Sequence, residues 1–190
     1  MHTTAEQEVA AAALSSPLLR PVLDRWDSIA LPNCWLVAGA VAQTVWNVKL
    51  GNALDHGIRD VDLVYFDQNT LDHESERREE TRIRSQFGDA SASFDVKNEA
   101  RVHLWYEDRF GYPIAPYRSV EDAIATFPTT ATAIGIRSNH GRIEVIAPFG
   151  LSDLLNLRVR ANKRQITREV YEAKIGRWRE IWPQLHVVEW

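Results

Sequence analysis

The segment from Arg59 to Asp67 constrains the fold most, because its centre, Asp60-Val61-Asp62-Leu63, alternates acidic and branched apolar residues. Successive side chains of a strand point to opposite faces, so this period predicts a strand with one buried face and two carboxylates on the other. Adjacent like charges repel each other, and a bound cation would relieve the repulsion. The alternative is that Asp60 and Asp62 face water on an exposed sheet surface.

Other segments predict further strands and helices around this one. Short apolar or alternating runs indicate strands at 34–38, 93–97, 131–137 and 142–146. Caps and helical periods indicate helices at 40–50, 72–86, 120–127, 151–157 and 166–182, two short helices before residue 30, and a helix rather than a strand at 99–109. Strands interleaved with helices predict an α+β (mixed α/β) domain with a small mixed β-sheet.

We expect residues 1–190 to form a single domain, with N-terminal helices in residues 1–30 and basic helices in residues 151–190 packed on it. Apolar neighbours at helix-like spacing predict core packing for four tryptophans, with base stacking as the alternative for one of them. These are Trp46, Trp105, Trp178 and Trp182.

Composition excludes several classes of protein. Cys34 is the single cysteine, which excludes an internal disulfide framework and a zinc site built on several thiolates. The acidic N-terminus does not resemble a secretory signal, and no apolar run is long enough to cross a bilayer, so we expect a cytoplasmic protein without a membrane partner. The net charge of −4 argues against DNA as a partner, although residues 158–179 hold eight basic and two acidic side chains, 8 − 2 = +6.

The acidic pair predicts a divalent metal site. Mg²⁺, or Mn²⁺ in its place, prefers oxygen ligands and completes its shell with substrate phosphates and water. Ions held by shared carboxylates can stabilise the attacking and leaving oxygens of a phosphoryl or nucleotidyl transfer. Asp95, between Phe94 and Val96, can supply a third carboxylate if its strand lies beside the first.

A predicted strand, turn and helix precede the acidic pair in the segment Val37-Ala38-Gly39-Ala40-Val41. A glycine lets the backbone approach a ligand closely, and the N–H groups of Gly39 and Ala40 at the helix start can bind a phosphate. Arg59 and Lys97 can neutralise a triphosphate. The alternatives are that Gly39 only permits tight packing and that each cation pairs with a nearby carboxylate or faces solvent.

These motifs resemble the nucleotidyltransferase superfamily that includes DNA polymerase β, and in particular the head domain of CCA-adding enzymes and bacterial poly(A) polymerases. The matching segments are Val37-Ala38-Gly39-Ala40-Val41, Leu50-Gly51, Asp60-Val61-Asp62 and the stretch from Ala147 to Leu154. The chain is also similar to a stand-alone bacterial nucleotidyltransferase-like family, through Trp46-Asn47, Asp60 to Asp67, Asp95 to Asn98, Val102 to Tyr106 and Ala147 to Leu151.

The resemblance implies roles for individual residues. Asp60 and Asp62 would bind the metal ions, Asp95 would be the third carboxylate, and Gly39 would approach the triphosphate. Ala38 replaces the first glycine of the family's glycine pair, and Ala42-Gln43 stands where CCA-adding heads have Arg-Asp.

The sequence therefore predicts a Mg²⁺-dependent enzyme that transfers a nucleoside monophosphate from a nucleoside triphosphate to an acceptor hydroxyl. The acceptor can be a small molecule, a protein or RNA. The alternative is a catalytically inactive nucleotide- or RNA-binding module with the same fold.

Overall fold

The computed structural model describes residues 3–88 and 92–190. Its strands are β1 (Trp35–Val37), β2 (Asp60–Tyr65), β3 (Ser93–Asn98), β4 (Gly135–Asn139), β5 (Arg142–Ile146), β6 (Arg158–Val159) and β7 (His186–Val187). Its α-helices are α1 (Thr4–Ser15), α2 (Arg20–Asp24), α3 (Ala38–Leu50), α4 (His73–Phe87), α5 (Tyr106–Phe110), α6 (Val120–Ile124), α7 (Ser152–Leu155) and α8 (Arg168–Ile181). Two 3₁₀ helices span Trp26–Ser28 and Glu99–Leu104.

Five strands form the main sheet in the order β3-β2-β1-β4-β5. The strands β2 and β3 are parallel and joined through α4, whereas the other neighbours are antiparallel. A second sheet pairs β6 with β7. This mixed sheet with flanking helices confirms the predicted α+β fold class.

The main core lies on the sheet face that holds Leu36, Leu63 and Val96, all fully buried. The helices α3 and α8 add a tryptophan cluster to it, in which the Trp46 ring meets Trp178 and Trp182 edge-on at centroid distances of 5.3 and 5.6 Å. Core packing is confirmed for these three tryptophans. Trp105 is only partly buried and packs beside a separate small cluster.

The opposite face of the sheet is covered over only part of its width. Val120 and Ile124 of α6 pack against Val37 of β1 and Val64 of β2. This cover ends before the acidic residues of β2 and β3, which are exposed or half-buried. The acidic side chains thus lie at the edge of a small apolar cluster.

Several boundaries differ from the sequence-based predictions. The strand β4 begins at Gly135 rather than residue 131, because residues 129–133 form a turn in which the Ala133 N–H donates to the Thr129 carbonyl. The helix α6 ends at Ile124, three residues early. The sequence did not predict β6 and β7, since a strand of two residues is too short to show an alternating pattern. Residues 99–109 are mainly helical, as expected.

Candidate active site

The three predicted carboxylates lie on adjacent strands. Asp60 and Asp62 are two residues apart on β2 and share a face of the sheet, and Asp95 of β3 pairs in register with Asp62. Asp60 is exposed, whereas Asp62 and Asp95 are half-buried. The sequence predicted Asp95 as a third carboxylate only if its strand lies beside that of Asp60 and Asp62. The strands β2 and β3 are neighbours, so this condition is met.

The charge of Asp62 is poorly compensated. Burial, and after it the negative charges of Asp60 and Asp95, raise the pKa of its carboxyl to about 7. Lys174 and Lys97 act in the opposite direction but do not outweigh these effects. A cation bound beside Asp62 would stabilise the ionised form of its carboxyl.

Lys97 is directly paired with Asp95. The Lys97 Nζ lies 2.6 Å from the Asp95 Oδ1 and 3.7 Å from a carboxylate oxygen of Glu80 on α4. Burial alone would lower the pKa of Lys97, but the hydrogen bond and charge of Asp95 outweigh it, and the pKa is raised. The alternative considered from the sequence, pairing with a nearby carboxylate, describes Lys97 in this structure.

The donor set fits a hard divalent cation in part. Asp60 and Asp62 offer carboxylate oxygens, which are the ligands that Mg²⁺ prefers, and the raised pKa of Asp62 reflects a charge that a cation would balance. However, within residues 3–88 and 92–190 no three His, Cys, Asp or Glu side chains are already arranged to hold a metal. Two carboxylates are thus available, and Asp95 becomes a third only if Lys97 moves away.

The glycine turn lies beside the acidic pair. Val37, the last residue of β1, pairs in register with Asp62, so α3 begins next to that carboxylate. Ala38 has a φ of +57°, a left-handed conformation that favours glycine. A Cβ on Gly39 would lie 3.3 Å from the Gln43 side-chain nitrogen, so this turn has little room for a larger residue. Ala40 is fully buried behind it.

The structure places Arg59 and Arg101 in different environments. Arg59 is exposed immediately before β2, and its carbonyl accepts the Ser93 N–H. Arg101 is buried, and its guanidinium lies 2.6 Å from the Glu76 carboxylate. Arg59 is thus open to solvent, whereas Arg101 has a buried partner.

Two residues near the site were not identified from the sequence. Lys174 of α8 interacts electrostatically with Asp62 and Asp60, although its pKa is lowered, first by burial and then by Arg177. Glu99 is buried, and burial raises its pKa to about 8, with contributions from Glu76 and Asp62. The alternation Asp95, Lys97, Glu99 was visible in the sequence, but nothing local indicated that the charge of Lys174 acts on Asp62.

Comparison with known proteins identifies the family. A protein-family model described as nucleotidyltransferase matches residues 24–187. The chain belongs to this nucleotidyltransferase family. No curated protein matches it.

A solved structure gives the same assignment at the level of the fold. An NMR structure described as revealing a CCA-adding enzyme head domain superimposes with a TM-score of 0.78 and 27% sequence identity, covering 97% of this chain and 96% of that one. The resemblance to nucleotidyltransferases and CCA-adding heads is thus confirmed. Among the helices of the described residues, none is both long and apolar enough to span a membrane.

Proposed function

We propose that this nucleotidyltransferase-family protein transfers a nucleoside monophosphate from a nucleoside triphosphate to an acceptor hydroxyl at the face formed by β2 and β3. The observation that supports this most is the position of Asp62. It lies between Asp60 and Asp95 and is paired in register with the last residue of β1, where α3 begins. Family membership and the head-domain fold support the general reaction.

Asp60 and Asp62 would hold Mg²⁺, or Mn²⁺ in its place. When bound, the ion would neutralise charge on the substrate phosphates and complete its shell with phosphate oxygens and water. The N–H group of Gly39, at the start of α3, would bind the phosphates, because first-turn N–H groups have no partner within the helix. Ala40 is fully buried, so its N–H would act through the dipole of α3 and not by direct contact. Arg59 and Lys174 would add positive charge around the triphosphate.

Asp95 would accept the proton of the acceptor hydroxyl. A carboxylate is one of the side chains that act as a general base, and the Lys97 Nζ, 2.6 Å from the Asp95 Oδ1, would hold this one in position. The acceptor oxygen forms a bond to the α-phosphorus, the bond from that phosphorus to the bridging oxygen breaks, and pyrophosphate leaves. The hydroxyl proton moves to Asp95, so atoms and charge balance.

The test is release of pyrophosphate from the four nucleoside triphosphates with Mg²⁺, offering a small-molecule extract, total RNA and the protein itself as acceptors. We expect release by the wild type and by the control Asp55→Asn, whose carboxyl is exposed in the preceding loop. We expect none from Asp60→Asn/Asp62→Asn, with an unchanged circular dichroism spectrum. Undiminished release by the double variant would contradict the proposed site.

The Asp95–Lys97 ion pair favours a second candidate, a catalytically inactive nucleotide- or RNA-binding module, because Asp95 has a partner in this structure. Such a module would bind nucleotide or RNA without releasing pyrophosphate. Its RNA affinity would fall with added salt and would not change in Asp60→Asn/Asp62→Asn. This pattern would replace the enzymatic proposal.

A further inference from the structure

A cavity of about 230 Å³ lies beside Lys97, the partner of Asp95, and six aromatic side chains line it. The aromatic residues are Trp105, Tyr106, Phe110, Tyr112, Tyr117 and Phe127. Lys97 and Glu99, which follow Asp95 along the chain, also line it. The cavity therefore continues from the face of the sheet where Asp95 lies.

Ring contacts and hydrogen bonds hold the aromatic walls in place. The Tyr106 ring lies 4.4 Å from Phe110 and 5.4 Å from Tyr112, measured between centroids. The Gln165 amide donates to the Tyr117 hydroxyl at 2.7 Å, and the Tyr112 hydroxyl donates to the Gln165 carbonyl. A wall of rings fixed in this way is preorganised for a ligand.

Glu99 is the unusual polar group of this cavity. It is only 6% exposed, and within residues 3–88 and 92–190 its carboxyl has neither a hydrogen bond nor an ion pair. Glu76 nearby is similarly buried, but it is paired with Arg101 at 2.6 Å and accepts the Asn98 N–H at 2.8 Å. Glu99 interacts electrostatically with the Tyr117 hydroxyl in the cavity wall. Lys97 offsets part of the Glu99 charge, but it is paired with Asp95, and burial together with the charges of Glu76 and Asp62 outweighs its effect. Keeping this carboxylate ionised is therefore costly, and a bound cation would offset that cost.

We propose that this cavity binds the ammonium group of a small organic alcohol, with Glu99 as the counter-charge and the surrounding aromatic rings as a cation–π cage. Ammonium groups enclosed by aromatic rings gain electrostatic attraction from the ring faces, and the gain is largest where water is excluded. An uncharged ligand would not balance the negative charge of the Glu99 carboxylate. The choice of a cation over a neutral ring thus follows from Glu99.

The bound alcohol would be the acceptor, an assignment that rests on the proposed transfer reaction. Lys97 lines the cavity and contacts Asp95 at 2.6 Å, so a hydroxyl on a short chain from the ammonium group would point toward the general base. Its oxygen would bond to the α-phosphorus as pyrophosphate leaves and Asp95 takes the proton. The product would be a phosphodiester that links the nucleoside to the amino alcohol.

Binding without nucleotide tests the cavity independently of catalysis. The probes are choline and its uncharged isostere 3,3-dimethylbutan-1-ol, titrated by calorimetry and tryptophan fluorescence, with adenosine as a neutral heteroaromatic probe. We expect choline to bind the wild type at least about tenfold more tightly than the isostere or adenosine. Glu99→Gln should abolish the preference of choline over the isostere.

A second variant tests the same cavity in case Glu99→Gln does not fold. Phe110 is 39% exposed, so Phe110→Ala should fold normally and weaken choline binding by roughly fivefold or more through loss of one cage ring. Phe149→Ala, at a residue 37% exposed outside the cavity, is the matched control and should bind choline like the wild type.

Equal affinity for choline and the isostere, tighter binding of adenosine, or no choline binding would each overturn the proposal. Since no nucleotide is present, these outcomes are separate from a failure of pyrophosphate release.

Discussion

Asp62 is the residue at which folding and function conflict most directly. Burial, Asp60 and Asp95 raise its pKa from 3.8 to about 7. Between these two values the folded protein binds the proton that the unfolded chain has lost, so stability falls as pH rises through this window. At neutral pH the ionised form of Asp62 therefore lowers the stability of the metal-free protein, which agrees with the proposed binding of a cation at this carboxylate.

We predict that Asp62→Asn stabilises the metal-free protein increasingly as the pH rises. An amide cannot ionise, so the gain in the free energy of unfolding should be about 1–3 kcal/mol larger at about pH 8 than at about pH 5. Urea unfolding with a chelator present measures it. A difference between Asp62→Asn and the wild type that does not change with pH would contradict the assignment.

Ala38 has a backbone conformation suited to glycine. Its φ of +57° places the Cβ too close to the following carbonyl, at a cost of roughly 1–2 kcal/mol for an L-residue. The resemblance to the family's glycine pair marks the same position.

We predict that Ala38→Gly raises the free energy of unfolding by about 0.5–1 kcal/mol, since relief of strain exceeds the added entropy of the unfolded glycine. Ala11→Gly, at an exposed position inside α1, should instead lower it by about 1 kcal/mol. Thermal unfolding of the two variants measures the opposite signs. Destabilisation by both would show that Ala38 is not strained.

At the scale of elements, a buried ion pair joins α4 to the chain that follows β3. Glu76 of α4 contacts Arg101 at 2.6 Å and accepts the Asn98 N–H at the end of β3. The Asn98 amide in turn donates to the Asp67 and Thr70 carbonyls. These contacts fix the end of β3, which positions Lys97 and Glu99.

We predict that Arg101→Met destabilises the protein by about 3 kcal/mol, because the Glu76 carboxylate would remain buried without its cation. Arg20→Met is the control, since the Arg20–Asp24 pair on α2 is exposed and should matter little. Urea unfolding curves compare the two. A cost for Arg101→Met no larger than for Arg20→Met would mean that Glu76 finds water or another partner.

On the scale of the whole molecule, α8 is part of the same core as the sheet. Its Trp178 packs on Trp46 of α3, and the indole N–H of Trp182 donates to the Asn47 side-chain oxygen at 2.7 Å. Asn47 also donates to the Leu54 and His56 carbonyls, in the loop that leads to β2. The C-terminal helix is thus linked to α3 and, through Asn47, to the loop that precedes the acidic strand.

We predict that the chain unfolds as one cooperative unit. Thermal transitions followed by tryptophan fluorescence and by far-ultraviolet circular dichroism should coincide, since one apolar cluster joins the sheet, α3 and α8. Trp178→Leu should lower both midpoints equally. Two separate transitions would contradict the predicted single domain.

Local patterns predicted the elements that have a clear period or cap. The alternation at Asp60 and Asp62 predicted β2, and the helix predicted near the N-terminus is α1, which begins with a capping box between Thr3 and Glu6. Sequence periods did not predict the start of β4, which follows the turn at Thr129, or the end of α6 at Ile124. The spacing around Trp105 predicted a core residue, because the same spacing occurs whether a side chain fills the core or lines a cavity.

The sequence by itself determined the strand with two carboxylates on one face, the strand–turn–helix before it and the resemblance to nucleotidyltransferases, because these depend on residues close together in the chain. Only the tertiary structure decided that Asp95 lies opposite Asp62, that Lys97 pairs with Asp95, and that α8 brings Lys174 to the site. It also decided that Glu99 is buried beside an aromatic cavity. Contacts between distant segments depend on how strands pair and helices pack, and local sequence patterns do not specify that.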